Sequence, residues 1–117
     1  MIIRVGIDLV EISRIEKAMR RPGFRQRILT PEERILCTTP TRVAGRWAAK
    51  EAIAKALNSN ITWQQIEILN DDTRAPHVVI HQRSWDPRRY RMHISITHER
   101  NMAAAVAVLE SISQKKG

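Results

Sequence analysis

A chain of 117 residues is the size of one small domain, and its single cysteine allows neither an intrachain disulfide nor a cysteine-ligated metal cluster. The net charge is +8, and fifteen of its 20 cations are arginine, whose guanidinium forks suit phosphates and carboxylates. The expected partner is therefore anionic: a phosphorylated small molecule, a nucleic acid or an acidic protein.

Met1–Leu9 alternates and reads as a strand, with Ile3, Val5, Ile7 and Leu9 on one face and Ile2, Arg4, Gly6 and Asp8 on the other. Gly6 leaves room for close approach on the face that carries Asp8. Asp8 with Glu11 also reads as a weak capping box for the following helix, a role compatible with metal binding. That helix, Glu11–Arg21, carries Ile12, Ile15 and Met19 as its apolar stripe, leaving Arg14, Lys17 and Arg21 on the exposed side. Pro22-Gly23 breaks it, and Phe24–Leu29 continues as a short helical segment with Arg25 and Arg27 outward. Thr30-Pro31-Glu32-Glu33 is a helix start with a capping box and proline at the first position. The helix it opens ends by Thr39-Pro40 and holds Cys37, which has no neighbouring base to activate it.

Ala44–Leu57, AGRWAAKEAIAKAL, predicts one uninterrupted helix capped at Thr41 and ended by Asn58. At ~100° per residue its side chains sort into two halves. Gly45, Ala48, Ala49, Ala52 and Ala56 form a small-residue face that demands a close neighbour. Arg46, Lys50, Trp47, Glu51 and Lys55 form the other half. Next come a single turn at Thr62-Trp63 and two strands, Ile66–Asn70 and Pro76–His81, joined by a turn. His77 and His81 share a strand without a third ligand. Gln82–Arg91 is an irregular basic loop. Met92–His98 and Met102–Leu109 form a hairpin whose second strand, MAAAVAVL, supplies the small surface that the alanine-faced helix needs. The expected fold class is α+β: an antiparallel sheet packed with a long central helix and shorter helices. One domain over residues 1–112 is expected, with Ser113–Gly117 as a disordered tail. No apolar run approaches the ~18 residues of a membrane span. MIIRVGIDLV lacks the anatomy of a signal peptide. A cytoplasmic protein without a membrane partner is expected.

Gly6-x-Asp8, the TPEE start, Trp47-x-x-Lys50-Glu51-x-x-x-Lys55 and HISITH at His93–His98 occur together and in order. In these motifs the chain resembles the holo-acyl-carrier-protein synthase family, the small bacterial 4'-phosphopantetheinyl transferases, from Ile2 to about Leu109. The resemblance implies transfer of phosphopantetheine from coenzyme A to a serine of an apo acyl carrier protein. It implies dependence on magnesium (Mg2+) and a homotrimer with active sites at subunit interfaces. By the same resemblance Asp8 and Glu51 are the metal ligands, and these two with Lys55 are catalytic. Arg46, Lys50, Lys55 and His98 line the coenzyme A site. Arg14, Arg21 and Arg25 receive the acidic carrier protein.

The chemistry of these residues agrees. Magnesium takes a few carboxylates plus substrate oxygens and water, and phosphoryl transfer needs charge stabilisation and alignment more than covalent help. Metal-bound water, Glu51, Asp8 through water and His98 all remain open as acceptors of the serine proton. The chain departs from the family at Asn58 and Asn60, where relatives carry glycines, and at Arg74, where the turn before Pro76 commonly holds one. The rival reading from charge alone is a basic nucleic-acid-binding domain. Few aromatics and no groove-reading pattern argue against it, and no nucleic-acid partner is expected.

Overall fold

The structure, a computed structural model, describes residues 1–112. The expected tail at Ser113–Gly117 lies outside the described residues. The elements run β1 (Ile2–Glu11), α1 (Ile12–Met19), α2 (Phe24–Ile28), α3 (Pro31–Leu36), α4 (Pro40–Leu57), a 3-10 turn (Trp63–Gln65), β2 (Ile66–Asn70), β3 (Pro76–Ile80), β4 (Tyr90–His98) and β5 (Met102–Ser111). Antiparallel β1, β5 and β4 form one sheet in that order, and β2 and β3 form a separate hairpin. The α+β class expected from the sequence is the class observed.

Helix α4 lies across the inner face of the three-stranded sheet, and small residues on both sides let it lie close. Ala48, Ala49, Ala52 and Ala56 are fully buried against Ala103, Ala105 and Ala107 of β5. The contact is tightest on β1. A methyl group placed on Gly6 would stand 1.9 Å from the carbonyl oxygen of Ala52, so no side chain fits there. Gly45, two turns earlier, faces Ile96 of β4. The helix therefore crosses the sheet obliquely, its first half over β4 and its second over β1.

Several boundaries differ from expectation. Helix α4 begins four residues before Ala44, with Pro40 at its first position and the Thr39 hydroxyl, rather than Thr41, accepting the Arg42 amide. Proline lacks the amide that a first-turn residue leaves unpaired anyway, so Pro40 starts this helix instead of closing the previous one. Strand β1 runs on to Glu11, and α1 has Glu11 at its cap with no side-chain cap bond. Asp8 thus sits within the strand, paired with Ala105, and does not cap α1. Asn58 takes the left-handed conformation at the end of α4, with φ 51°. The Thr30–Glu33 capping box forms as read.

The outer face of the sheet has no cover within the chain. Val5, Ile7 and Leu9 are 55%, 66% and 63% exposed, beside half-buried Ala104, Val106 and Val108 of β5. No described helix is long and apolar enough to cross a membrane.

Candidate active site

The charged half of α4 divides into three parts, because other elements cover its middle. Trp47 packs between Phe24 of α2 and Trp63, with ring centroids at 6.0 Å and 4.5 Å. Its role is structural: it joins α4 to α2 and to the 3-10 turn. Lys50 is 1% exposed. Its Nζ donates to the Ile28 carbonyl (2.7 Å), the Trp63 carbonyl (2.9 Å) and Glu33 Oε1 (2.6 Å). Those three bonds use every donor of an ammonium group. Glu33, itself fully buried, also accepts the Thr30 amide on Oε1 and the Ile68 amide on Oε2. Burial lowers the Lys50 pKa, and the Glu33 carboxylate opposes that shift.

Lys50 was expected in the coenzyme A site. It is instead the charge at the centre of the core, bound to α2, α3 and the 3-10 turn. A helical wheel cannot separate a buried lysine from an exposed one. Its one signal in the sequence was Glu33, a carboxylate in a capping box next to an apolar run.

On one flank of this covered strip, α4 meets β1. The Lys55 Nζ donates to the Ile7 carbonyl (2.9 Å) and to Asp8 Oδ1 (3.3 Å), which leaves one of its three N–H groups without a partner among the described residues. Glu51 is half-buried close by. Its pKa is raised by burial and then by the Asp8 carboxylate, against a smaller lowering by Lys55. A carboxylate whose proton affinity is raised by burial and by a second carboxylate, with an ammonium group beside the pair, fits a divalent cation electrostatically. Among the described residues, no three His, Cys, Asp or Glu side chains converge. Any cation here would complete its shell with water or substrate oxygens. From this cluster an open groove continues past Ala54, Lys55 and Asn58–Asn60.

On the other flank lies a cleft of about 300 Å³. It is lined by Arg42, Gly45 and Arg46 of α4, Asn70, Arg74 and Pro76 of the β2–β3 hairpin, and Ile94, Ser95, Ile96 and His98 of β4. The side chains include three guanidinium groups and an imidazole, and no carboxylate. The Arg46 Nε is buried without a partner, while its Nη2 lies 3.4 Å from Asn70 Oδ1. Arg42 and Arg74 are residues that sequence reasoning missed. Only the hairpin's position over α4 reveals them.

The expected site residues therefore fall into two places. Asp8, Glu51 and Lys55 are together on the β1 side; Arg46 and His98 are together on the β4 side. Asp8 pairs with Ala105, which pairs with Ile96, so the two places are two strand spacings apart, roughly 10 Å. Arg46 and Glu51 are also ~140° apart around α4. Of the three arginines expected on a carrier-binding surface, Arg14 and Arg21 are exposed. Arg25 requires a correction. Its Nη2 donates to the carbonyls of Arg34 (2.9 Å) and Cys37 (2.8 Å), so it braces α2 against the end of α3. Cys37 is buried, and burial raises its thiol pKa, as suits an unreactive residue. His81 pairs with Glu67 at 3.2 Å.

Residues 4–107 match the family model of the 4'-phosphopantetheinyl transferase superfamily. The chain belongs to this superfamily. It is 39% identical over 122 residues to a holo-[acyl-carrier-protein] synthase of Shouchella clausii, spanning 95% of this chain and all of that protein. The holo-(acyl-carrier-protein) synthase of Bacillus anthracis, solved in complex with CoA (3',5'-ADP), superposes with a TM-score of 0.83 at 36% identity, covering 96% of this chain and 99% of that one. The Helicobacter pylori holo-[acyl-carrier-protein] synthase, solved with coenzyme A, gives 0.83 at 34% identity, covering 91% and 99%. As a phosphopantetheinyl transferase the chain spans nearly the full length of these relatives.

The burial of Lys50 has a direct consequence. Lys50→Met keeps the volume but leaves Glu33 charged and unpaired in the core, which costs about 3–5 kcal/mol. Denaturant unfolding should show that loss. A lysine whose only task was to hold a ligand would leave stability unchanged.

Proposed function

We propose that this chain is a holo-[acyl-carrier-protein] synthase. It transfers the 4'-phosphopantetheine of coenzyme A to a serine of an apo acyl carrier protein and releases adenosine 3',5'-bisphosphate. The observation that carries this reading is the Asp8–Glu51–Lys55 cluster, set where α4 touches β1 and open to solvent along a groove. The serine oxygen attacks the pyrophosphate phosphorus on the pantetheine side. A new P–O bond forms, the P–O bond to the nucleotide side breaks with its electron pair leaving on the released bisphosphate, and the serine proton passes to water. Asp8 and Glu51 supply the carboxylates for a magnesium ion, which when bound neutralises charge on the phosphoryl oxygens. Lys55, held by Asp8 and the Ile7 carbonyl, has one N–H left to donate to a phosphate oxygen. The exposed arginines Arg14 and Arg21 suit an acidic carrier protein. A cytoplasmic location follows from the substrates.

The reacting pyrophosphate belongs at the carboxylates, and the acid-free arginine cleft suits the nucleotide end of the same coenzyme A. Within one chain these sites lie on opposite edges of the sheet. A second copy resolves this by bringing its cleft beside the first copy's carboxylates. The uncovered apolar face of β1 and β5 is what such an assembly would bury, and the family resemblance makes it a trimer. His98 then belongs with the nucleotide and not with the serine proton.

The direct test incubates the protein with coenzyme A, magnesium and a competent apo carrier protein, and reads intact mass. The carrier should gain one phosphopantetheine; no gain would remove the reading. Glu51 supplies a second check, through linkage. Its raised pKa means that the folded, metal-free protein binds the proton more tightly than the unfolded chain. Metal-free stability should therefore fall as pH rises from about 4.5 through the folded pKa. Magnesium should restore stability at neutral pH. In Glu51→Gln both the pH-dependent loss and the response to magnesium should disappear, as read by thermal unfolding with and without the metal.

A further inference from the structure

The loop joining β2 to β3 is held by one carboxylate. Asp71 Oδ1 accepts the Thr73 amide (2.8 Å), the Thr73 hydroxyl (2.6 Å) and the Ala75 amide (2.9 Å). The Asp71 amide donates to the Ala75 carbonyl, and the Arg74 amide to the Asp71 carbonyl, both at 2.9 Å. Closed this tightly, the loop holds Arg74 at φ 65°. That is the left-handed region, which costs any residue with a Cβ and costs glycine nothing. The strain falls on a residue that lines the arginine cleft with Arg42, Arg46 and His98, and backbone strain that persists at a binding cleft is a pointer to function.

The charge balance says what Arg74 meets. Coenzyme A carries its phosphates in two places: the pyrophosphate, which must lie at Asp8 and Glu51 because a bond breaks there, and the ribose 3'-phosphate. The cleft offers three guanidinium groups, one imidazole and no carboxylate, and Arg46 retains a buried N–H with no partner. The 3'-phosphate is the one dianion left for it.

We propose that Arg74 is a specificity-determining residue for the phosphoryl donor: it binds the ribose 3'-phosphate and makes the enzyme discriminate coenzyme A from dephospho-coenzyme A. This rests on the coenzyme A-dependent reading above. A glycine at position 74 would give the same loop without the discrimination.

The test is Arg74→Gly, which removes the guanidinium at a position whose backbone already suits glycine. The melting temperature should stay the same or rise. KM for coenzyme A should rise about tenfold with kcat unchanged, as expected for loss of one charge-assisted bond made equally in ground and transition states. KM for dephospho-coenzyme A should not move. Binding of adenosine 3',5'-bisphosphate, measured by calorimetry, should weaken by a similar factor, and binding of adenosine 5'-monophosphate should not. Equal effects on both donors, or KM for coenzyme A within twofold of the parent, would overturn the proposal. If the unsubstituted protein transferred from neither donor, the coenzyme A reading itself would fail, and this proposal with it.

Discussion

Helix α4 can lie on β1 only because position 6 carries no side chain. With a methyl group there, 1.9 Å from the Ala52 carbonyl, the helix would have to lift from the sheet. Lys55 would then lose the Ile7 carbonyl, and Glu51 would move away from Asp8. The glycine of the Gly6-x-Asp8 motif and the alanines of α4 are thus one device. They bring a helix and a strand close enough for a carboxylate from each to share a site. The same closeness raises the Glu51 pKa, because burial and the Asp8 carboxylate both disfavour its charged form.

A second constraint determines what α4 presents to solvent. The Lys50–Glu33 pair and the Trp47 stack bind α2, α3 and the 3-10 turn onto the middle of the helix's charged half. A buried ion pair is an expensive way to join elements, and it persists here with the bonds that satisfy both partners complete. Its effect is to separate Arg46 from Glu51 and Lys55. One helix therefore serves two sites, a carboxylate cluster over β1 and an arginine cleft over β4. Coenzyme A carries two separate phosphate groups, the reacting pyrophosphate and the ribose 3'-phosphate; in the reading proposed above each takes one site, and a neighbouring copy brings the two together.

Much of this was legible from residues alone. Alternation in β1, β4 and β5, the Thr30–Glu33 capping box and the small faces of α4 and β5 lead to the observed fold by local rules. Asp8, Glu51 and Lys55 were grouped by their resemblance to the family motif; periodicity placed Asp8 on one strand face and Glu51 with Lys55 on one half of α4, without joining the two. What failed needed tertiary information. Periodicity put Lys50 beside Glu51 on an exposed face; the α2–α3 segment buries it. Arg25 read as a surface cation, but the end of α3 supplies carbonyls that turn it inward. Arg42 and Arg74 were invisible as site residues, because a hairpin more than twenty residues away along the chain closes the cleft. The sequence could not show that Asp8 and His98 lie on different edges of the sheet, because strand order is not encoded in any one strand.

Subunit mixing tests the proposed pairing of one copy's carboxylates with another copy's arginine cleft. At a coenzyme A concentration well below the KM of the unsubstituted protein, the Glu51→Gln and Arg46→Ala proteins should each lose most of their activity as pure oligomers. Mixed in equal amounts by co-expression, with mixed oligomers verified by native mass spectrometry, they should regain about one quarter of the unsubstituted activity. That is the share of head-to-tail interfaces pairing an intact Glu51 with an intact Arg46 in random assembly. Mixed oligomers no more active than the two pure variants would contradict a site shared between copies.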